Sequence, residues 1–135
     1  MLINIDASNG LAIYDQVVRQ IKYAVANGTI REGELVPSVR ELARDLTINP
    51  NTVARAYQQL QSANVLDSVR GTGLIVKKSA AAKCRKERVT LLRQRIREVF
   101  REAKQSRIDF PELKSLVDEE LEKVNSVRTS NGESE

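Results

Sequence analysis

The sequence has no histidine, no tryptophan and a single cysteine, Cys84. These absences exclude metal clusters, histidine-based catalytic triads and a disulfide framework within one chain, and a lone cysteine is typical of a reducing compartment. Aromatic residues make up 4% of the chain, which argues against a stacking platform for single-stranded nucleic acid. We therefore expect no cofactor and no metal.

Long apolar runs are also missing, and no stretch is long enough to cross a membrane. The start of the chain, MLINID, has no basic segment of the kind that opens a signal peptide. We expect a cytoplasmic protein without membrane contact.

The 135 residues allow one ordinary domain, or a small domain with an appendage, and carry a net charge of +4. The charge is unevenly distributed. Residues 1–78 carry +2, residues 79–108 carry ten Lys and Arg against three Asp and Glu, and residues 109–135 carry three against eight. The back half is thus split into a basic and an acidic segment, and the basic excess favours an anionic partner only weakly.

Residues 37–60 read as two short helices joined by a tight turn. Ser38 and Glu41 have the spacing of a capping box at the start of the first helix. Asn49 followed by Pro50 predicts the start of the second helix. Apolar residues three and four apart predict the buried faces, which are Val39, Leu42, Ala43 and Leu46 on one helix and Val53, Ala56, Tyr57 and Leu60 on the other.

The second helix leaves Asn51, Thr52 and Arg55 facing outward at its N-terminal end. Arg forms bidentate hydrogen bonds with the edge of guanine, and Asn does so with the edge of adenine. The first turns of a recognition helix reach the floor of the major groove. The alternative is an ordinary pair of packed helices, whose outer faces are polar in any small helical domain.

The flanking segments fit a winged helix-turn-helix. Residues 12–27 predict a bracing helix that ends at Asn27 and Gly28. After the second helix, two β-prone runs, residues 64–69 and 74–78, surround a Gly-x-Gly turn and predict a hairpin. Such a wing can place an arginine in the minor groove, although a merely flexible turn remains an alternative.

Five motifs occur together at a characteristic order and spacing, and they are Ile13–Val17, Asn27–Gly33, Pro37–Ala43, Asn49–Tyr57 and Arg70–Gly73. In these motifs the chain resembles the GntR family of bacterial transcription regulators, and in particular its short YtrA-type branch. The resemblance covers residues 11–78 and implies a winged helix-turn-helix that binds palindromic operator DNA as a dimer.

The resemblance also implies roles for individual residues. Arg40 would hold a phosphate or a base, and Asn49 would cap the recognition helix and touch a phosphate. The major-groove residues would be Asn51, Thr52 and Arg55, and the wing tip would consist of Arg70, Gly71, Thr72 and Gly73. One position departs from the family, because Thr47 stands where the turn usually has glycine. A positive φ there would cost a β-branched residue about 1–2 kcal/mol.

The back half predicts two amphipathic helices whose apolar stripes need a partner. We interpret residues 79–124 as a homodimerisation module, a role that the resemblance also implies, and residues 125–135 as a disordered tail. The basic helix around residues 83–104 either contacts DNA or presents a solvated face. Cations near Cys84 would lower its pKa, so a redox-sensing thiol is a further, minor hypothesis.

The predicted fold class is therefore mainly α with a small β-wing, a winged helix-turn-helix domain followed by the two-helix dimerisation module. The predicted function is that of a sequence-specific, homodimeric transcription regulator that binds double-stranded DNA. Repression is the simpler mode of action, because a bound protein can block a promoter without further apparatus. The alternative is a winged-helix module that binds a protein partner. An enzyme is not expected, because no carboxylate pair lies in an apolar context that would shift its pKa. No small-molecule effector is expected either, since only two helices follow the wing.

Overall fold

The computed structural model describes residues 3–132, with side chains described through residue 126. It contains five helices and one two-stranded sheet within that range. The elements in chain order are α1 (Ile13–Ala26), α2 (Val39–Leu46), α3 (Pro50–Ser62), β1 (Leu66–Val69), β2 (Gly73–Val76), α4 (Ala80–Gln105) and α5 (Phe110–Gly132). The predicted class, mainly α with a small β-wing, is confirmed.

The chain forms two compact units, of which the first ends at Leu91 and the second begins at Leu92. The sequence-based boundary at residue 78 differs from this division, because the first turns of α4 belong to the core of the first unit. Ala80 and Cys84 are almost completely buried there. The backbone N–H of Ala81 donates to the Glu32 carboxylate at 3.1 Å, which places a negative charge at the start of α4.

The helix α2 begins with the predicted capping box. The hydroxyl of Ser38 accepts the backbone N–H of Glu41 at 3.1 Å, and the Glu41 carboxylate accepts the N–H of Ser38 at 2.9 Å. The backbone N–H of Ser38 and, as the smaller cause, the Ser38 hydroxyl hold the pKa of the Glu41 carboxyl below its ordinary value. Leu42 and Ala43 are buried behind the cap, while Val39 and Leu46 are half-buried.

The turn between α2 and α3 contains a residue in the left-handed region, at the position where the GntR family usually has glycine. Thr47 has φ 55° and ψ 50°. Its N–H donates to the Arg44 carbonyl at 3.3 Å, and the N–H of Ile48 donates to the Ala43 carbonyl at 3.0 Å. This pair of bonds is the Schellman motif, which satisfies the last carbonyls of a helix. It requires a positive φ at the first residue after the helix, which here is Thr47.

The helix α3 starts as predicted. The Asn49 side chain accepts the N–H of Asn51 at 2.7 Å, and Pro50 occupies the first turn. Its predicted inner face, Val53, Ala56, Tyr57 and Leu60, is completely or almost completely buried. The Tyr57 hydroxyl donates to the Pro37 carbonyl at 2.7 Å, and burial raises the pKa of this phenol. Tyr57 thereby joins α3 to the segment that leads into α2.

The predicted wing is present as an antiparallel hairpin in which Leu66 pairs with Val76 and Val69 with Gly73. An isolated bridge between Leu35 and Ile75 adds a short third segment. The tip turns through Gly71, at φ 76°, while the N–H of Thr72 donates to the Val69 carbonyl. A left-handed residue at this point of a tight turn favours glycine.

In the second unit, α4 ends at Gln105 and α5 begins after Asp109, whose carboxylate accepts the N–H of Glu112 at 3.0 Å. The helix α5 continues to Gly132, and residues 133–135 lie outside the described range, so the disordered tail of residues 125–135 stays a prediction. A growing helix gains one backbone hydrogen bond for each added residue, and no proline interrupts this segment.

No helix within residues 3–132 combines the length and the apolar character needed to span a membrane.

Candidate nucleic-acid interface

The N-terminal half of α3 presents the three residues that sequence analysis assigned to the major groove. Asn51 and Arg55 are exposed and lie one helical turn apart, and Thr52 between them is half-buried. The side chains of Asn51 and Arg55 have no hydrogen-bond partner among the described residues. The first turn of α3 contains no acidic residue, so the positive end of the helix dipole is not neutralised there.

Arg55 is stacked on an aromatic ring from another helix. Its guanidinium carbon lies 3.7 Å from the centre of the Tyr14 ring, in the first turn of α1. Ile13, Tyr14 and the three α3 residues line one shallow depression. Sequence analysis assigned no site role to Tyr14, which appeared there only within the Ile13–Val17 motif, and the structure shows it half-buried.

Arg40 lies on the exposed face of α2, one turn before Arg44, which is also exposed. Both border a shallow depression with Ala43, Ile48 and Pro50, at the start of α3. The structure therefore brings Arg40 close to the beginning of the recognition helix. Arg44 was not predicted, although its spacing of four from Arg40 would have shown that the two cations share a face.

The wing residues Arg70, Gly71, Thr72 and Gly73 are all exposed. Thr72 and Gly73 border a groove between the wing and α2, whose lining also includes Leu35, Val39 and Tyr57. Glu41 and Asp45 also line this groove. Arg70 and Gly71 do not line it, so the tip of the hairpin is free to meet a ligand outside the domain.

Two predicted surface cations of α4 are used inside the first unit. Lys83 donates to the carbonyl of Ala63 at the end of α3, and Arg85 donates to the carbonyl of Ala26 at the end of α1, at 3.5 Å. Cations at helix C-termini are favourable because they complement the helix dipole. Lys86 and Arg88 remain exposed.

The hypothesis of a reactive Cys84 is wrong in its physical premise. The residue is completely buried in the core, and this burial raises the pKa of its thiol. Glu87 raises it further, while Lys22 and Lys83 act in the opposite direction and do not prevail. Lys22 of α1, a cation close to the thiol, pairs with the Glu87 carboxylate at 2.8 Å, which balances part of the local positive charge.

Within the part of the chain that the structure describes, no group of three or more Cys, Asp and Glu residues is arranged to hold a metal ion.

Known proteins are similar to this chain in both sequence and fold. Residues 13–76 match the family described as "Bacterial regulatory proteins, gntR family". A solved structure, YtrA from Sulfolobus acidocaldarius, a GntR-family transcription factor, is 32% identical, with a TM-score of 0.56 over 70% of this chain and 97% of that one. The chain belongs to the GntR family. It is thus a DNA-binding transcriptional regulator with a winged helix-turn-helix.

Two further relatives match beyond the winged helix. The HTH-type transcriptional repressor YtrA of Bacillus subtilis is 28% identical over 118 residues, which span 87% of this chain and 91% of that protein. A GntR family transcriptional regulator from Listeria monocytogenes is 28% identical, with a TM-score of 0.62 over 82% of this chain and 96% of that one. The similarity therefore includes much of the helical back half as well as the matched family segment.

Proposed function

We propose that this GntR-family chain is a homodimeric repressor that binds a palindromic operator, with α3 in the major groove. The observation that carries the proposal is the exposed pair Asn51 and Arg55, whose hydrogen-bonding edges have no protein partner among the described residues. An Asn amide matches the N6 and N7 atoms of adenine, and an Arg guanidinium matches the O6 and N7 atoms of guanine. Thr52 contacts a base or its phosphate from the same turn.

The surrounding residues supply the contacts that orient the protein on the duplex. Arg40 binds a backbone phosphate beside the start of α3, and Asn49 combines its capping role with a phosphate contact. At the wing, Arg70 enters the neighbouring minor groove. The two glycines on either side of Thr72, Gly71 and Gly73, have no side chain and let the backbone of the tip approach the duplex closely.

Dimerisation is supported by apolar side chains that the single chain leaves uncovered. Leu92, Ile96 and Val99 of α4 are 50%, 51% and 58% exposed. Their spacing of four and three places them on one face, together with the exposed Val89 and Phe100. A second copy would cover this stripe, and two copies related by a twofold axis match an operator with two half-sites.

Repression is the simplest use of such a dimer, because an occupied promoter is blocked sterically without further apparatus. The name of the Bacillus subtilis relative, a transcriptional repressor, supports this choice. A cytoplasmic location follows from a chromosomal DNA partner.

Selection from a randomised duplex library tests the proposal directly. We expect the full chain to enrich a pseudo-palindrome with half-sites about one helical turn apart. Titration of the enriched duplex at several salt concentrations should give a steep decrease in affinity, because each neutralised phosphate releases counterions. Failure to enrich any sequence over random DNA would favour a module that binds a protein partner.

Variants of the exposed residues separate base reading from phosphate binding. Asn51→Ala and Arg55→Ala should each weaken the enriched duplex by about 1–3 kcal/mol and relax selectivity at one base pair. Arg40→Ala should weaken enriched and random duplexes by similar factors. Gln61→Ala, an exposed change at the far end of α3, is the matched control and should leave both affinities unchanged. Equal losses on both duplexes for Asn51→Ala and Arg55→Ala would contradict base reading.

The oligomeric state has its own test. Ile96→Glu places a charge on the apolar stripe of α4 at an exposed position, so the monomer should still fold. Gln94→Glu adds the same charge on the opposite face of this helix and serves as the control. Light scattering should show a dimer for the control and a monomer for Ile96→Glu. A dimer in both cases would place the interface elsewhere.

A further inference from the structure

We propose that Tyr14 is a positioning residue, which holds the Arg55 guanidinium stacked and ready to read a base in the major groove. The inference rests on the proposed function and adds a residue from α1 to the specificity of α3. It starts from the distance of 3.7 Å between the guanidinium carbon of Arg55 and the centre of the Tyr14 ring.

Stacking uses only one part of the guanidinium group. With the guanidinium carbon 3.7 Å above the ring centre, a nitrogen placed between carbon and ring would clash with the ring, so the flat face of the group lies against it and the N–H donors point outward. The donors that would pair with guanine are therefore left available. In the part of the chain that the structure describes, Arg55 makes no hydrogen bond and no ion pair that would occupy them.

The carboxylate nearest to Tyr14 along the chain does not compete for Arg55. Asp15 pairs with Arg19 on α1, with 3.3 Å between the carboxylate oxygen and Nε. The positive charge of Arg55 is thus retained. The Tyr14 ring is itself held by a fixed backbone, because α1 packs against α3 through the fully buried Val17 and its neighbours.

Restriction of Arg55 changes DNA binding in a selective way. A free arginine side chain loses much rotamer freedom when it makes a two-point contact, and a stacked one has lost part of it beforehand. The benefit applies only where Arg55 contacts a base. We therefore expect Tyr14 to affect the enriched operator duplex and not a random duplex.

Four variants of the full chain test this expectation on both duplexes, and they are Tyr14→Leu, Tyr14→Phe, Arg55→Ala and the double variant Tyr14→Leu/Arg55→Ala. Tyr14→Leu should weaken the enriched duplex by about two- to fivefold, the range of an exposed cation–π contact. Tyr14→Phe keeps the ring and should bind like the original chain. In the Arg55→Ala background, Tyr14→Leu should have no further effect.

Three results would overturn the inference. They are an equal loss for Tyr14→Leu in the presence and absence of Arg55, an equal loss on random DNA, and a loss for Tyr14→Phe as large as that for Tyr14→Leu. The last would indicate a DNA contact by the hydroxyl. If Arg55→Ala itself leaves selectivity intact, the proposed base reading fails, whereas a loss with Arg55→Ala but none with Tyr14→Leu removes only the role of Tyr14.

A measurement without DNA keeps the test independent of the folding of any Tyr14 variant. In the NMR spectrum of the unmodified chain, the side-chain protons of Arg55 should be shifted upfield by the ring current of Tyr14. Arg55→Lys identifies these signals by their disappearance. Ordinary random-coil shifts for the Arg55 side chain would refute the stacked arrangement.

Discussion

Replacement of Thr47 by glycine should stabilise the first unit. Thr47 sits in the left-handed region, at φ 55° and ψ 50°, and its side chain is exposed without a hydrogen bond among the described residues. Glycine adopts this conformation without steric cost. The substitution should therefore remove strain and lose no contact that the structure records.

The expected gain is the difference between two effects. The left-handed conformation costs a residue with a side chain about 1–2 kcal/mol. Glycine has greater freedom in the unfolded chain, and this lowers the free energy of unfolding by about 0.4–1 kcal/mol, which offsets part of the gain. A net gain of about 0.5–1 kcal/mol should raise the melting temperature of a unit of this size by about 2–8 °C.

Thermal melts and urea titrations of Thr47→Gly, at fixed protein concentration because association shifts apparent stability, measure this gain. Thr47→Asn is a useful intermediate, since asparagine tolerates the left-handed region better than threonine. Thr47→Val keeps the branched shape and should show no gain. A Thr47→Gly chain that melts at or below the original temperature would refute the assignment of strain to this turn.

Three further predictions concern the first unit. Because the pKa of Glu41 is lowered in the folded chain, its contribution is fully present above the ordinary value of 4.5 and is lost as the pH falls through the lowered folded value. Urea titrations across that acid range should thus show a flatter pH dependence for Glu41→Gln, and an unchanged slope would contradict the capping box. Cys84 should resist a thiol reagent in the native chain and react on addition of denaturant; rapid native labelling would disprove its burial. Leu60→Ala should cost about 2–5 kcal/mol in a urea titration, and a loss below about 1 kcal/mol would show that the core collapses around the gap.

Features encoded by neighbouring residues were predictable from the sequence. The Ser38 and Glu41 cap, the Asn49 and Pro50 start and the cap at Asp109 each depend on side chains within a few positions of the backbone groups they serve. The buried faces of α2 and α3 follow from helical spacing in the same way. The positive φ of Thr47 could be anticipated because the turn geometry is shared by the family.

Features that depend on distant contacts were missed or misjudged. The stack of Arg55 on Tyr14 joins residues from two helices, and no local pattern indicates it. The sequence around Cys84 is rich in cations, which suggested an accessible thiol, yet the start of α4 docks into the core and buries it. The site roles of all these residues stay predictions, since they concern contacts with DNA. They are Arg40, Asn49, Asn51, Thr52, Arg55 and the wing residues 70–73.

The contacts of Lys83 and Arg85 with the ends of α3 and α1 change how the charge of this regulator should be counted. A formal charge of +4 treats every cation as available to the duplex. A cation whose donors are bonded to carbonyl oxygens at helix ends is less available to phosphates, and only cations that neutralise phosphates contribute to the salt dependence of binding. Lys83→Ala should therefore leave the salt slope of operator binding unchanged, and a shallower slope would show that Lys83 contacts a phosphate.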